Sequence, residues 1–105
     1  MKTKGPFHKT QNMMGKFCYY RETGLKVIVK VHKVIEEGKY TNTTLKVIAS
    51  TINPQRIQVG RSFTVSENNW GDFNQVWTLT KLDASNILDA IQEADPKGRY
   101  QWTTE

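Results

Sequence analysis

The side chains with the most chemistry to offer are cations set at alternate positions. In LKVIVKVHKV, residues 25–34, Lys26, Lys30 and His32 share a parity with Ile28, while Leu25, Val27, Val29 and Val31 share the other. The segment LKVIAS, 45–50, repeats the pattern, with Leu45, Val47 and Ala49 on one side and Lys46, Ile48 and Ser50 on the other, and Arg56 opens a further apolar run. Alternate residues of a strand line one face of a sheet. The expectation is a face carrying Tyr20, Lys26, Ile28, Lys30, His32, Lys46, Ile48 and Arg56, opposite an apolar face that wants a core. Like charges placed opposite one another destabilise a sheet, so such a face is not arranged for its own stability. Cations for phosphates, with flat or apolar side chains between them for bases, suit single-stranded nucleic acid. The same residues also fit a second arrangement. In it Ile28 and Ile48 close a curled barrel or a dimer interface, and the lysine stems lie along that apolar surface with their charges at the rim.

Other chemistries find few residues. Cys18, His8 and His32 lie far apart, and the chain has no C-x-x-C or H-x-x-x-H pair, so no metal site is expected. A Cys18/His32 dyad would need both side chains on one face, and no third group or oxyanion donor can be named for it. The glycines form no phosphate loop. The carboxylate pairs Glu36–Glu37 and Glu67/Asp72 have nothing to fix their separation for acid–base work. The expectation is a non-catalytic binding protein with no cofactor.

A second binding constellation is the loop SENNWGDFNQ, where Trp70 and Phe73 flank Asp72. Aromatics at a loop tip are common anchors for a partner. The alternative reading is therefore a small protein-interaction module, of the inhibitor or modulator type that phages and plasmids encode, docking on a larger protein through Trp70, Asp72 and Phe73.

Composition bounds these readings. The 105 residues hold 15 Lys and Arg against 10 Asp and Glu, a net charge of +5. Residues 1–52 carry ten basic and three acidic residues; residues 53–105 carry five and seven. Such asymmetry suits an anionic partner, DNA or RNA. One cysteine excludes an internal disulfide. No run approaches the length of a membrane span, and the lysine-bearing start lacks the apolar stretch of a secretion signal. The expected location is the cytoplasm, a host's if the protein is viral, and a homodimer is an admissible assembly.

The elements that must position these residues follow from periodicity. Residues 1–15, with Lys2, Lys4, His8 and Lys9 among Gly, Pro, Thr and Gln, read as a flexible basic arm. Residues 16–105 read as one β-rich domain. KFCYYR is a short strand and LKVIVKVHKVIE a long one, whose alternation breaks at His32–Ile35 as at a bulge. EGKYTN has hairpin length, TTLKVIAST is the next strand, and INPQ a turn. RIQVGRSFTVS is expected as a strand with Arg61 in phase with its core face, either turned outward by a bulge at Gly60 or buried and paired, and QVWTLTKL as the last, with Trp77 and Leu79 inward. A helix over about 84–94 places Ala84, Ile87, Leu88, Ile91 and Ala94 on one stripe, capped by Asp83 or Ser85. The tail with Tyr100 and Trp102 is expected to pack back on the body or add a short strand.

The fold class is then α+β: an antiparallel meander of four to five strands, as an open curved sheet or small barrel, with one C-terminal helix packed on one face. Strands followed by a helix, after a basic arm, resemble in topology the dimeric single-strand-binding transcription coactivators and the Whirly proteins; a five-stranded OB-like barrel is equally admissible. The helix is expected on the Leu25/Val27/Val29 face, which would leave the basic face open.

Overall fold

The computed structural model describes residues 13–22, 24–51, 58–68 and 77–104. Five strands, β1 (Phe17–Glu22), β2 (Leu25–Glu37), β3 (Tyr40–Ser50), β4 (Ser62–Asn68) and β5 (Trp77–Lys81), precede one helix, α1 (Ile87–Ala94). They form an antiparallel sheet in the spatial order β4-β3-β2-β1-β5. The first four strands are a meander, and β5 returns to the free edge of β1, where Cys18 pairs with Lys81 and Glu22 with Trp77. The α+β class and the C-terminal helix stand as expected.

Turn chemistry sets the registers. Glu22 pairs with Leu25 across a two-residue loop, which puts Tyr20 opposite Val27 and Tyr19 opposite Ile28. Gly38 takes φ +58° in the two-residue turn between Glu37 and Tyr40, a backbone conformation that a hairpin this tight requires and L side chains resist. Two irregularities break the β2–β3 ladder. Val31 pairs with Leu45 and Lys33 with Thr44, so His32 is the extra residue, where the alternation of the sequence broke. Ile28 pairs with Ala49 and Val29 with Val47, so Ile48 is the second extra residue. This bulge moves Ala49 to the side of Ile28 and leaves Leu45 and Val47 with Val29.

One face of the sheet buries Cys18, Tyr20, Leu25, Val27, Val29, Val31, Leu45, Val47, Val65 and Leu79 in a single cluster. It is closed by curling. The ring of Tyr20 on β1 meets that of Phe63 on β4 edge-on, centroids 5.2 Å apart, although two strands separate them. Met13 is buried in the same cluster, and the chain just before β1 is fixed to β2 by Gly15 N–H donating to Val31 O at 2.9 Å. Residues 13–15, assigned by sequence to the arm, are thus seated on the sheet.

The helix takes the other, convex face. Ile87, Ala90, Ile91 and Ala94, spaced three and four apart, pack with Phe17, Tyr19, Ile28 and Ala49. The expectation that it would cover Leu25, Val27 and Val29 is overturned, because a curled sheet closes that face on itself and offers the helix the outside. Leu88, expected on the packed stripe, is 72% exposed, and Ala90 takes its place at 0%. The helix also starts later than expected, with Asn86 as its cap in place of Asp83 or Ser85. Asn86 Oδ1 accepts from Asp89 N–H at 2.9 Å, and Asn86 Nδ2 donates back to Asp89 Oδ2 at 3.1 Å, a reciprocal N-terminal cap.

The strand expected from Arg56 begins only at Ser62. Before it, Gly60 at φ +92° makes a turn in which Gly60 N–H donates to Val47 O and Arg61 O accepts from Val47 N–H, both at 2.8 Å. Arg61 comes out exposed, the first of the two expected outcomes. The tail packs back on the body. Ser50 and Thr103 exchange backbone hydrogen bonds of 2.9 and 2.7 Å, and Trp102 joins the layer beneath the helix.

Candidate nucleic-acid interface

The convex face is ordered in cross-strand rows. One row runs Phe17–Lys30–Lys46–Ser62 across β1, β2, β3 and β4. The next runs Thr80–Tyr19–Ile28–Ala49 from β5 to β3, and its last three residues lie under the helix. A third runs Thr78–Arg21–Lys26. Two like-charged pairs, Lys30–Lys46 and Arg21–Lys26, thus stand in register on either side of the row the helix covers. Each directly opposed pair of like charges costs stability, and the row partners Phe17, Ser62 and Thr78 bring no carboxylate.

Aromatic rings lie under three of the four cations. The Lys30 ammonium is 5.4 Å from the centroid of Phe17, the Arg21 guanidinium 5.4 Å from that of Tyr19, and the Lys26 ammonium 5.0 Å from that of Tyr100. Such contacts are worth roughly 0.5–1 kcal/mol at exposed sites. They orient the cations without neutralising them.

The helix divides this face into two clefts. One, of about 360 Å³, lies toward its N-terminal end and is lined by Lys16, Phe17, Lys30, Lys81, Asp83 and Ser85. The other, of about 320 Å³, lies toward its C-terminal end, among Tyr19, Arg21, Lys26, Lys97, Arg99 and Tyr100. Asp95 is at the base of the second and is buried. Its Oδ1 accepts from Arg99 N–H at 2.9 Å; its Oδ2 accepts from Tyr100 N–H at 3.0 Å and from the Trp102 indole at 3.2 Å. Burial alone would raise the carboxyl pKa, but these donors and the Arg99 charge outweigh it and hold the group below its ordinary value. Asp95 stays ionised and directed inward, tying the tail to the helix end.

No protein-family model, curated protein or solved structure matches the chain.

The structure redistributes the expected site. Lys30 and Lys46 come together, exposed; Lys26 lies on the same face across the helix row, half-buried over Tyr100; His32 is exposed at its bulge. Tyr20 is not on this face. It is 2% exposed in the concave core, donating its hydroxyl to Glu22 Oε2 at 2.8 Å. The tyrosine of the basic face is its neighbour Tyr19, because the two-residue β1–β2 loop pairs even positions of β1 with odd positions of β2. Arg56, Trp70, Asp72, Phe73 and residues 1–12 of the arm lie outside the described residues. Sequence reasoning missed Lys16, Arg21, Lys81, Lys97, Arg99 and Tyr100. The parity of Arg21 was a signal once the loop length is counted, whereas the others reach the face only through β5 and the tail.

The Cys18/His32 dyad does not form. Cys18 is buried, its thiol directed at Lys16 O at 3.8 Å, and burial pushes its pKa up to about 12 against the opposing pull of Lys81. A thiol held protonated is the reverse of what a nucleophile needs, and His32 lies on the surface rather than beside it. Among the described residues no group of three or more His, Cys, Asp or Glu side chains is placed to hold a metal, and no helix is long and apolar enough to cross a membrane.

Proposed function

We propose that the protein is a non-catalytic binder of single-stranded nucleic acid, DNA or RNA, through its convex face. The observation that carries this reading is the pair of like-charged cross-strand couples, Lys30–Lys46 and Arg21–Lys26, on one face. A fold that places cations opposite cations loses stability unless an anion settles between them. Phosphates at regular spacing supply that anion, and Phe17, Tyr19 and Tyr100 offer rings among the charges. The lysines at positions 2, 4 and 9 add to the same positive field by sequence alone.

The test is fluorescence anisotropy of a labelled single-stranded oligonucleotide at about 50 and 200 mM salt, since each phosphate neutralised on a single strand adds about 0.7 to the slope of log affinity against log salt. Binding that weakens steeply with salt, and more weakly when Lys30 and Lys46 are both changed to Glu, supports the reading. Absence of binding at the lower salt sinks it. In that case docking on a protein through Trp70, Asp72 and Phe73 becomes the reading to pursue, and Trp70→Ala the variant to make.

A further inference from the structure

The two clefts differ in a way that charge alone does not explain. The N-terminal cleft offers Lys16, Lys30 and Lys81 with an exposed acid, Asp83, and one ring, Phe17, half-buried. The C-terminal cleft offers four cations and two tyrosines, and its acid, Asp95, is engaged by three donors from the tail. Arg21 and Lys26 lie over the rings of Tyr19 and Tyr100, and Lys97 and Arg99 are exposed beside them, although Arg99 also acts on the Asp95 charge. We propose that this C-terminal cleft seats one unstacked nucleobase of the bound strand on Tyr100, with the flanking phosphates on Lys97, Arg99 and Arg21, while the N-terminal cleft takes phosphate alone.

Three observations carry the assignment, which rests on the nucleic-acid reading above. First, Tyr100 is 41% exposed while its backbone N–H is bonded to Asp95, so the ring springs from an anchored point and keeps accessible surface beyond the part that Lys26 covers. Lys26 sits over it and steadies it. Second, the Tyr19 wall is backed by packing. Its ring lies 6.3 Å from that of Trp102, tilted by 58°, and Trp102 is itself bonded to Asp95. A platform already ordered loses little entropy when a base stacks on it. Third, at about 320 Å³ the cleft falls at the low end of small-molecule sites; the other cleft is of similar size, so the two rings, not the volume, set this one apart. Stacking on a ring is tolerant of base identity, so the site contributes affinity more than sequence preference.

The experiment separates base from backbone. Anisotropy is measured on an oligothymidylate and on an abasic sugar–phosphate strand of equal length, for the wild type, Tyr100→Ala, Tyr100→Phe and the double variant Lys97→Glu/Arg99→Glu. Tyr100→Ala leaves the backbone donor to Asp95 in place, and thermal unfolding checks that the fold is intact. The expected result is an oligothymidylate affinity about tenfold lower for Tyr100→Ala, unchanged for Tyr100→Phe, with no effect of either on the abasic strand. The double charge reversal weakens both strands. Loss on both strands alike, or on neither, for Tyr100→Ala overturns the stacking site while leaving the basic face intact. If the wild type binds neither strand, the nucleic-acid reading fails and the site with it.

Discussion

Lys30 and Lys46 stand directly opposite one another on β2 and β3, both exposed on the convex face, with Phe17 and Ser62 as their outer neighbours in the row. The couple costs the fold something and is open to solvent, so stability and function pull against each other there. Lys46→Glu converts it into an opposite-charge pair and is expected to raise the urea midpoint by an amount equivalent to about 0.2–1 kcal/mol. The same change is expected to lower affinity for a single strand and flatten its salt dependence. Parallel urea titration and anisotropy check both; a variant neither more stable nor weaker in binding would remove the argument from this pair.

The helix presents Ala90, not Leu88, to the sheet. Leu88→Lys is expected to change stability by no more than about 0.5 kcal/mol, as surface substitutions do. Ala90→Leu forces extra methylenes against Ile28 and Ala49 and is expected to cost about 1–3 kcal/mol. Chemical denaturation of the two variants distinguishes the faces, and the reverse ranking would mean that the helix packs by its other side.

Asp95 joins the end of α1 to Arg99, Tyr100 and Trp102 through its carboxylate. Its folded pKa lies below that of the unfolded chain, so its contribution is present above about pH 4 and is lost as pH falls from there through the folded value. Asp95→Asn is expected to lower the thermal midpoint at pH 7 and to flatten the midpoint's dependence on pH below about 4. Thermal melts across pH 2–7 check this, and a wild-type curve no steeper than the variant's would contradict it.

The Cys18 thiol has its pKa raised to about 12 by burial. The folded state therefore keeps a proton that the unfolded chain releases near pH 8.5, and this contribution to stability declines as pH rises from that value toward the folded one. A thiol-specific disulfide reagent at pH 8 is expected to leave the native protein unlabelled and to react at once in denaturant. Rapid labelling of native protein would place the thiol elsewhere than in the core.

Thr43 is fully buried, and its Oγ1 has no hydrogen-bond partner among the described residues. A buried hydroxyl without a partner costs about 1–3 kcal/mol. Thr43→Val keeps the branched shape and removes the orphan, and is expected to raise the denaturation midpoint. A lower midpoint would show that the hydroxyl has a partner in solution.

Local features were legible in the sequence because they are written in local terms. The alternation Leu25, Val27, Val29, Val31 gave a core face, its break gave the bulge at His32, and Gly60 before Arg61 offered the outward turn. What escaped was set by contacts between distant residues. Alternation separates two faces without saying which one a helix covers, and here Tyr20 against Phe63 shows the sheet closing its apolar face by curvature. A second bulge at Ile48 carried Ala49 across, a one-residue slip that no pattern of six residues reveals. Half of the basic face was legible through Lys26, Lys30 and Lys46. The other half depends on β5 and the tail, which bring Lys81, Lys97, Arg99 and Tyr100 in from the far end of the chain.

The return of β5 to β1 also has a kinetic side. The β1–β2 and β2–β3 ladders close two-residue loops, whereas Cys18 must wait for Lys81 before its second edge is filled. The landing site of α1 likewise needs Phe17, Ile28 and Ala49 assembled beforehand. Non-local pairing of this kind is slow, so β5 is expected to dock after the β1–β2–β3 hairpins, and until it does one side of β1 is unpaired. An unpaired edge is open to edge-to-edge association, which the like charges of Lys16, Lys26 and Lys30 beside β1 oppose.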